Sequence, residues 1–497
     1  MMHFLRTAPV LAALAATVSS APSGAGPIPG NLSFYTPSWP DWDQYVTRWS
    51  AYEAPTFSLA FLPNSEEELS QGIAYLARRK MTYLAKGGGH GYSTTLGVDQ
   101  DVVQVNMENF RNVTVHPDNT VTVGGGARML DVVTALYNAG REVTVGSYPC
   151  VGATGAMLGG GLGRLQGLHG LMIDSLEHAR IALWNGTIIE ASEKVNSDLF
   201  WGLRGAGHNF GVVTESTYRT YPGQDNRHYY ADMVFTSDSL EGVLNVYKGL
   251  IEEGLDAAAS LALSYLYDAQ SMSPLINMNV VYAHNEQNGR ALSANFASTT
   301  GNATHPITRV SLDESYITFA EVPTRGSSDI ICQRGHNQDI HPVTAREFFD
   351  IGAMVDLYAS FGSFVREHPA ANGSVLLFEA ANPQTVDAVP DAATAFPLRG
   401  RYILSSVMSM TWDGDDETEA INAWATAARD TLAKPEVSGS DRLYIYMNYA
   451  NGDESLSARY GYDKWRHERL TGLKQRYDPH GFFNAYHAIP LKMSGWN

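Results

Sequence analysis

Two periodicities divide the chain. Between residues 55 and 222 helical and extended patterns alternate. The run "NSEEELSQGIAYLARRK" carries apolar residues at helical spacing behind a Ser65/Glu68 capping box, and the strand-like "MTYLAK" follows it. The stretches "TVTVGGG" and "REVTVGS" read as strands on either side of the helix "MLDVVTALYNAG", and "ARIALWNGTIIEAS" reads as a hairpin turning at Asn185-Gly186. From about residue 225 the pattern changes. "SLALSYLYD", "LINMNVVYAH", "SVLLFEAAN" and "RYILSSVMSMTW" read as strands, with helices predicted over about 239–253, 345–362 and 416–432. Strands in succession with helices between pairs predict an antiparallel sheet covered on one face, an α+β arrangement. The Met-rich "VMSM" and "INMNV" fit core strands. A last helix, "DKWRHERLTGLKQRYD", is stopped by Pro479.

Composition narrows the class. A chain of 497 residues, 44% apolar and 17% charged, predicts packed cores, and more than one of them. A formal charge of −18 disfavours nucleic acid and anionic membranes as partners. Arg6, the apolar "APVLAALAA" and the small residues ending at Ala21 read as a signal peptide over 1–21. Five N-x-S/T sequons, at Asn31, Asn112, Asn185, Asn302 and Asn372, agree with secretion and N-linked glycans. No later apolar run is long enough to span a bilayer. Cys150 and Cys332 are the two cysteines, to be read as one disulfide or as two buried thiols.

Candidate chemistry gathers at the glycines. Gly87–Gly91, Gly124–Gly126, Gly152–Gly163 and "RGAGHNFG" at 204–211 are four clusters whose backbone N–H groups can form concave anion sites without any lysine. A dinucleotide is the natural occupant, although no G-x-G-x-x-G joins a strand to a helix. His336 and His341 lie five apart beside Asp339, a spacing that favours a solvated loop over a ligand pair; no metal site is expected.

The motifs "KGGGHGY", "PCVGATGAMLGGGLGRLQGLHGL", "DLFWGLRGAGHNFGVVTE" and the ending from "YMNYANGD" to "FFNAYHAIP" resemble the berberine-bridge-enzyme-like flavoproteins, fungal secreted members above all. The resemblance covers about 55–222 and 440–490. It implies a vanillyl-alcohol-oxidase (PCMH) type FAD-binding domain over 55–222 after an N-terminal segment at 22–54, a substrate domain over 223–440, and a C-terminal segment, 441–497, that returns to the FAD domain. It further implies FAD bonded through His90, with cofactor contacts from Lys86, Gly87, Gly88, Gly89, Gly91, Tyr92, Gly152, Gly155, Gly160, Gly211, Val213, Asn448 and Asn484. Bicovalent relatives carry a cysteine where this chain has Tyr148, so a single link is expected and a second through Cys150 is doubtful. Val151 falls where relatives leave oxygen a path. In the Y-x-N-Y run, Tyr449 matches the family's base and Tyr446 its support, and Tyr92 matches a third active-site tyrosine; spacing alone would make these core or edge-strand aromatics, with Asn448 pointing opposite to its neighbours in a strand as a supporting hydrogen-bonder. The implied activity is oxidation of an alcohol-bearing or ring-closing small metabolite, with O2 giving H2O2. An oligosaccharide oxidase, a redox-neutral isomerase or cyclase, and a carbohydrate-binding flavoprotein with little turnover stand beside it.

Overall fold

The computed structural model describes residues 28–224, 228–300, 307–311, 332–401 and 404–496. The leader 1–21 and the sequon at Asn302 lie outside them. Three large sheets and one two-stranded pair organise the described residues. A four-stranded sheet runs in the order Phe34–Tyr35, Phe57–Phe61, Val102–Asn106, Tyr83–Lys86, its last three strands parallel. Its helix Glu66–Arg79 buries Leu69, Ile73 and Leu76 against Phe61 and Val105. Ser65 caps that helix by accepting from Glu68 N. The capping box is not closed, because the Glu68 carboxylate accepts from Ser33 N and Asn64 N.

An antiparallel five-stranded sheet follows, in the order Val113–Val115, Thr120–Gly124, Val212–Arg219, Leu176–Ala182, Ile188–Ser192. The predicted hairpin is present, with Gly186 at φ 85°. The predicted strand "REVTVGS" shortens to Arg141–Glu142, which pairs with Tyr221–Pro222. Beyond it the chain leaves the ladder to line a cavity at Gly146, Ser147 and Tyr148.

The third sheet has seven antiparallel strands: Ile307–Ser311, His228–Phe235, Ser273–Ala283, Ala259–Asp268, Val375–Ala381, Leu404–Trp412 and Asn337–Ala345. Side chains alternate across it. Leu376, Phe378, Met278, Met408 and Met410 face the helices Leu240–Glu253, Ile351–Glu367 and Thr418–Leu432, which form the cover the sequence predicted, methionines included. The opposite face carries Val375, Leu377, Glu379, Ser405, Val407 and Ser409 toward the cavity. His336 and His341 are not a solvated loop: Asn337–Ala345 is a strand, His341 Nε2 lies 2.9 Å from Asp339 in the interior, and His336 turns to Asp413. Helix Lys464–Tyr477 ends before Pro479 as expected, and its buried Lys474 pairs with Asp478 at 2.7 Å. Among the described residues no helix is long and apolar enough to cross a membrane.

Candidate active site

A cavity of about 480 Å³ lies between the four- and five-stranded sheets and the face of the seven-stranded one turned away from its helices. One end is built on the glycine loop. Strand Tyr83–Lys86 delivers Gly87–Gly91, and Gly88 passes so close to Gly152 that a Cβ on it would stand 2.2 Å from Gly152 N. Only residues without side chains allow that crossing. Cations surround the loop. Arg334 donates to Gly88 O at 2.6 Å, Arg48 to Gly91 O at 2.9 Å, and Lys86 Nζ to Tyr45 O at 2.5 Å. Burial, and then Arg334 and Arg48, push the Lys86 ammonium down to about 7. Such a crowd is relieved by a bound polyanion such as a pyrophosphate, so the cradle here combines backbone N–H groups with fixed positive charge.

His90 closes this end. Its ring stacks on Trp49 at 5.3 Å and 24°, and its Nε2 is buried with no hydrogen-bond partner. Burial first, then Arg334, Arg48 and Arg128, hold the imidazole down at about 3, so it is neutral and keeps a lone pair. Further along, a Cβ on Gly155 would meet nothing within 4 Å, because the cavity opens there. Neutral imidazole, basic cradle and open floor together fit a flavin dinucleotide.

The other end holds the tyrosines. Segment 444–449 is not the edge strand the alternation suggested; after one bridge at Tyr444 it closes a single 3₁₀ turn, Met447–Tyr449. Asn448 therefore does not point away from its neighbours. Its Nδ2 donates to Tyr446 Oη and to Ala156 O, both at 2.6 Å. Tyr446 Oη also accepts from Gly161 N at 3.0 Å and Leu162 N at 3.2 Å. Burial raises this phenol to about 12 against the pull of those three donors. Tyr449 lies edge-on to Tyr446 with ring centres 5.0 Å apart, and its hydroxyl donates to Glu379 Oε2 at 2.8 Å. Burial and then the Glu379 charge hold Tyr449 well above the ordinary phenol range. Tyr92 lines the same cavity, its hydroxyl committed to Asn448 O at 3.0 Å. Tyr148 borders the cavity, raised to about 12 by burial and by Glu379.

Most of the expected residues thus meet at one cavity: Lys86, Gly87, Gly88, Gly89, His90, Gly91, Tyr92, Tyr148, Val151, Gly152, Gly155, Gly211, Val213, Tyr446, Asn448 and Tyr449 all line it. Three do not. Cys150 is bonded to Cys332, with Cα atoms 5.8 Å apart, so its sulfur has no valence left for a flavin. Gly160 lies behind the wall at φ 135°, where a Cβ would stand 2.9 Å from Phe396 and 3.2 Å from Tyr446; its bareness admits the tyrosine ring. Asn484 is exposed, while its neighbours Ala485 and Tyr486 reach the cavity. Sequence reasoning missed Glu379, Trp49 and Arg334. Glu379 had a signal, a carboxylate on the apolar strand "SVLLFEAAN" at the alternate position from Leu376 and Phe378.

Residues 57–192 match the family described as "FAD binding domain", and residues 445–490 match "Berberine and berberine like". The chain is 34% identical over 471 residues to the FAD-linked oxidoreductase OXR1 of Pyricularia oryzae, covering 91% of this chain and 88% of that one. Among solved structures it is similar to BBE-like 1 of Physcomitrella patens, with TM-score 0.79 at 20% identity over 93% of this chain and 97% of that one. It is also similar to the glucooligosaccharide oxidase of Acremonium strictum, whose FAD is 6-S-cysteinyl and 8α-N1-histidyl, with TM-score 0.73 at 18% identity over 92% and 97%.

Proposed function

This chain belongs to the FAD-linked oxidoreductases with a berberine-like C-terminal segment, and on that premise we propose that it is a secreted oxidase of a small alcohol-bearing metabolite that carries its flavin on His90. The observation that carries the reading is the Tyr449–Glu379 hydrogen bond at the cavity His90 also lines. Bound FAD supplies a two-electron acceptor for a substrate hydride, which O2 reoxidises to give H2O2.

The protein's share is binding, orientation and proton transfer. The basic cradle and the Gly88–Gly152 crossing hold the dinucleotide, and neutral His90 is in the form that can bond to it. Tyr449 Oη accepts the substrate's hydroxyl proton as its own passes 2.8 Å to Glu379. The carboxylate is therefore the terminal base and the tyrosine the relay, which departs from a tyrosine acting alone. Tyr446, held by three N–H donors, fixes the angle at which Tyr449 meets the substrate. Val151 lines the cavity wall, which supports its assignment to the oxygen path.

Ile340, Val375, Leu377 and Val407 give the substrate end an apolar wall, which supports a compact metabolite with an apolar body. The oligosaccharide reading has one observation in its favour, a row of hydroxyls and an amide at Ser405, Ser409, Thr411 and Gln338 along the same face. Secretion is supported by the Cys150–Cys332 disulfide and by the exposure of Asn31, Asn112, Asn185 and Asn372.

Acid precipitation tests the link: the wild-type pellet is expected to stay yellow, with the flavin mass on the peptide containing His90, and H90A is expected to release its colour. A peroxide-coupled screen of aromatic alcohols and of sugars tests the chemistry. Release of all flavin from the wild type, or anaerobic turnover without bleaching, refutes the link and the oxidation respectively.

A further inference from the structure

Away from the cavity, four residues distant in sequence converge. Glu142 comes from the short strand Arg141–Glu142, His169 from the turn of helix that ends there, and His228 and His284 from the ends of two strands of the seven-stranded sheet. Glu142 Oε1 accepts from His169 Nε2 at 2.6 Å and from His284 Nε2 at 3.0 Å. One ligating atom each from Glu142, His228 and His284 lie within 4.8 Å of one another, and the two imidazole centres are 4.8 Å apart. All of it is interior: the Glu142 side chain is 1% exposed, His284 9% and His228 3%.

Three observations set this cluster apart from an ordinary buried ion pair. The carboxylate is surrounded by imidazoles, with no guanidinium or ammonium paired to it among the described residues. The second oxygen, Glu142 Oε2, and the second nitrogen of His284, Nδ1, are buried without a hydrogen-bond partner, an unfavourable state that a bound cation would relieve. His284 also adopts a left-handed φ of 62°, uncommon for a non-glycine residue. Two imidazoles and one carboxylate are a donor set suited to a borderline divalent ion, not to calcium or magnesium, which take oxygen.

We propose that Glu142, His228 and His284 bind one zinc-class divalent cation, with His169 donating to the ligating carboxylate as its outer partner. Tetrahedral zinc with bonds near 2.0–2.1 Å sets ligand atoms about 3.3 Å apart, so side-chain rotations of roughly 1 Å close the site. Tyr221, stacked on His169 at 3.9 Å, holds the outer partner in place. None of the four residues lines the cavity. The ion is therefore a clamp between the part of the chain matched as FAD-binding and the sheet that lines the substrate end, not a participant in oxidation.

The test uses the flavin-loaded full chain, stripped with EDTA, desalted, and given ZnCl2 alone. One zinc per chain by elemental analysis, with a rise in unfolding temperature of several degrees, is expected. E142Q and H284Q are expected to lose both responses, H169Q to bind 10- to 100-fold more weakly, and H336Q to respond as the wild type. Wild-type protein holding less than a tenth of a zinc per chain with an unmoved unfolding temperature overturns the proposal, whatever the variants do. Full zinc retention in E142Q and H284Q overturns it equally.

Discussion

Exchanging Glu379 for glutamine preserves the size of the side chain and an oxygen able to accept from Tyr449, and removes only its capacity to hold a proton. In the wild type the 2.8 Å hydrogen bond from Tyr449 Oη to Glu379 Oε2 lets a proton arriving on the phenol be matched by one leaving it. No ionised phenol is needed. In E379Q, Tyr449 must ionise before it can accept. An ordinary phenol, near 10, is ionised to about one part in 10³ at pH 7, and burial, the largest cause, holds Tyr449 above that range. Substrate oxidation at pH 7 is therefore expected to fall about 10³-fold or more, about 4 kcal/mol of barrier. It should then climb about tenfold per pH unit until the phenol titrates. The assay is anaerobic stopped-flow loss of oxidised-flavin absorbance, with a substrate found in the peroxide screen, across a pH series. A loss smaller than tenfold, or a pH profile no steeper than that of the wild type, refutes the relay.

Three further outcomes concern stability. His208 is pushed down to about 4 by burial and donates from Nε2 to Gly155 O, and His487 is driven well below its usual range by burial and Arg459. Unfolded imidazoles take up protons near 6.5, so the unfolded state binds more protons below that pH, and stability should fall as pH drops from about 6.5 through 4, by about 3 kcal/mol for His208 alone; an unfolding temperature that is unchanged between about pH 7.5 and 4.5 contradicts this. K474M leaves Asp478 buried without its cation and should cost about 3–5 kcal/mol in denaturant unfolding; a loss under about 1 kcal/mol would show the pair to be idle. C332S opens a bridge spanning 182 residues, for which loop entropy gives about 5 kcal/mol and experience with other proteins about 2–4, and it also frees the segment whose Arg334 holds Gly88 O; equal thermal stability with and without the bridge would refute this.

The legible parts of the fold were those set by local repetition. Ser65 capped its helix, Asn185-Gly186 turned its hairpin, and the alternation in "SVLLFEAAN" placed Leu376 and Phe378 on one face and Glu379 on the other. Segment 446–449 misled because tyrosines two or three apart suit a strand and a 3₁₀ turn alike; the turn is fixed by Gly161 N, Leu162 N and Ala156 O, more than 280 residues away in sequence. Glu379 stood in view but had no assigned role, since a carboxylate becomes a base only when something is brought to give it a proton.

The sequence alone determined the class of cofactor. Glycine runs against a histidine are a local constraint, and their chemistry is carried by neighbours along the chain. The tertiary structure decided which groups work together: it spent Cys150 on Cys332, set Glu379 under Tyr449, ringed the loop with Arg48, Lys86, Arg128 and Arg334, and gathered Glu142, His169, His228 and His284. Those partners are tens to hundreds of residues apart. Proton transfer, charge and ligation act over a few ångströms of space, and chain order does not record that distance.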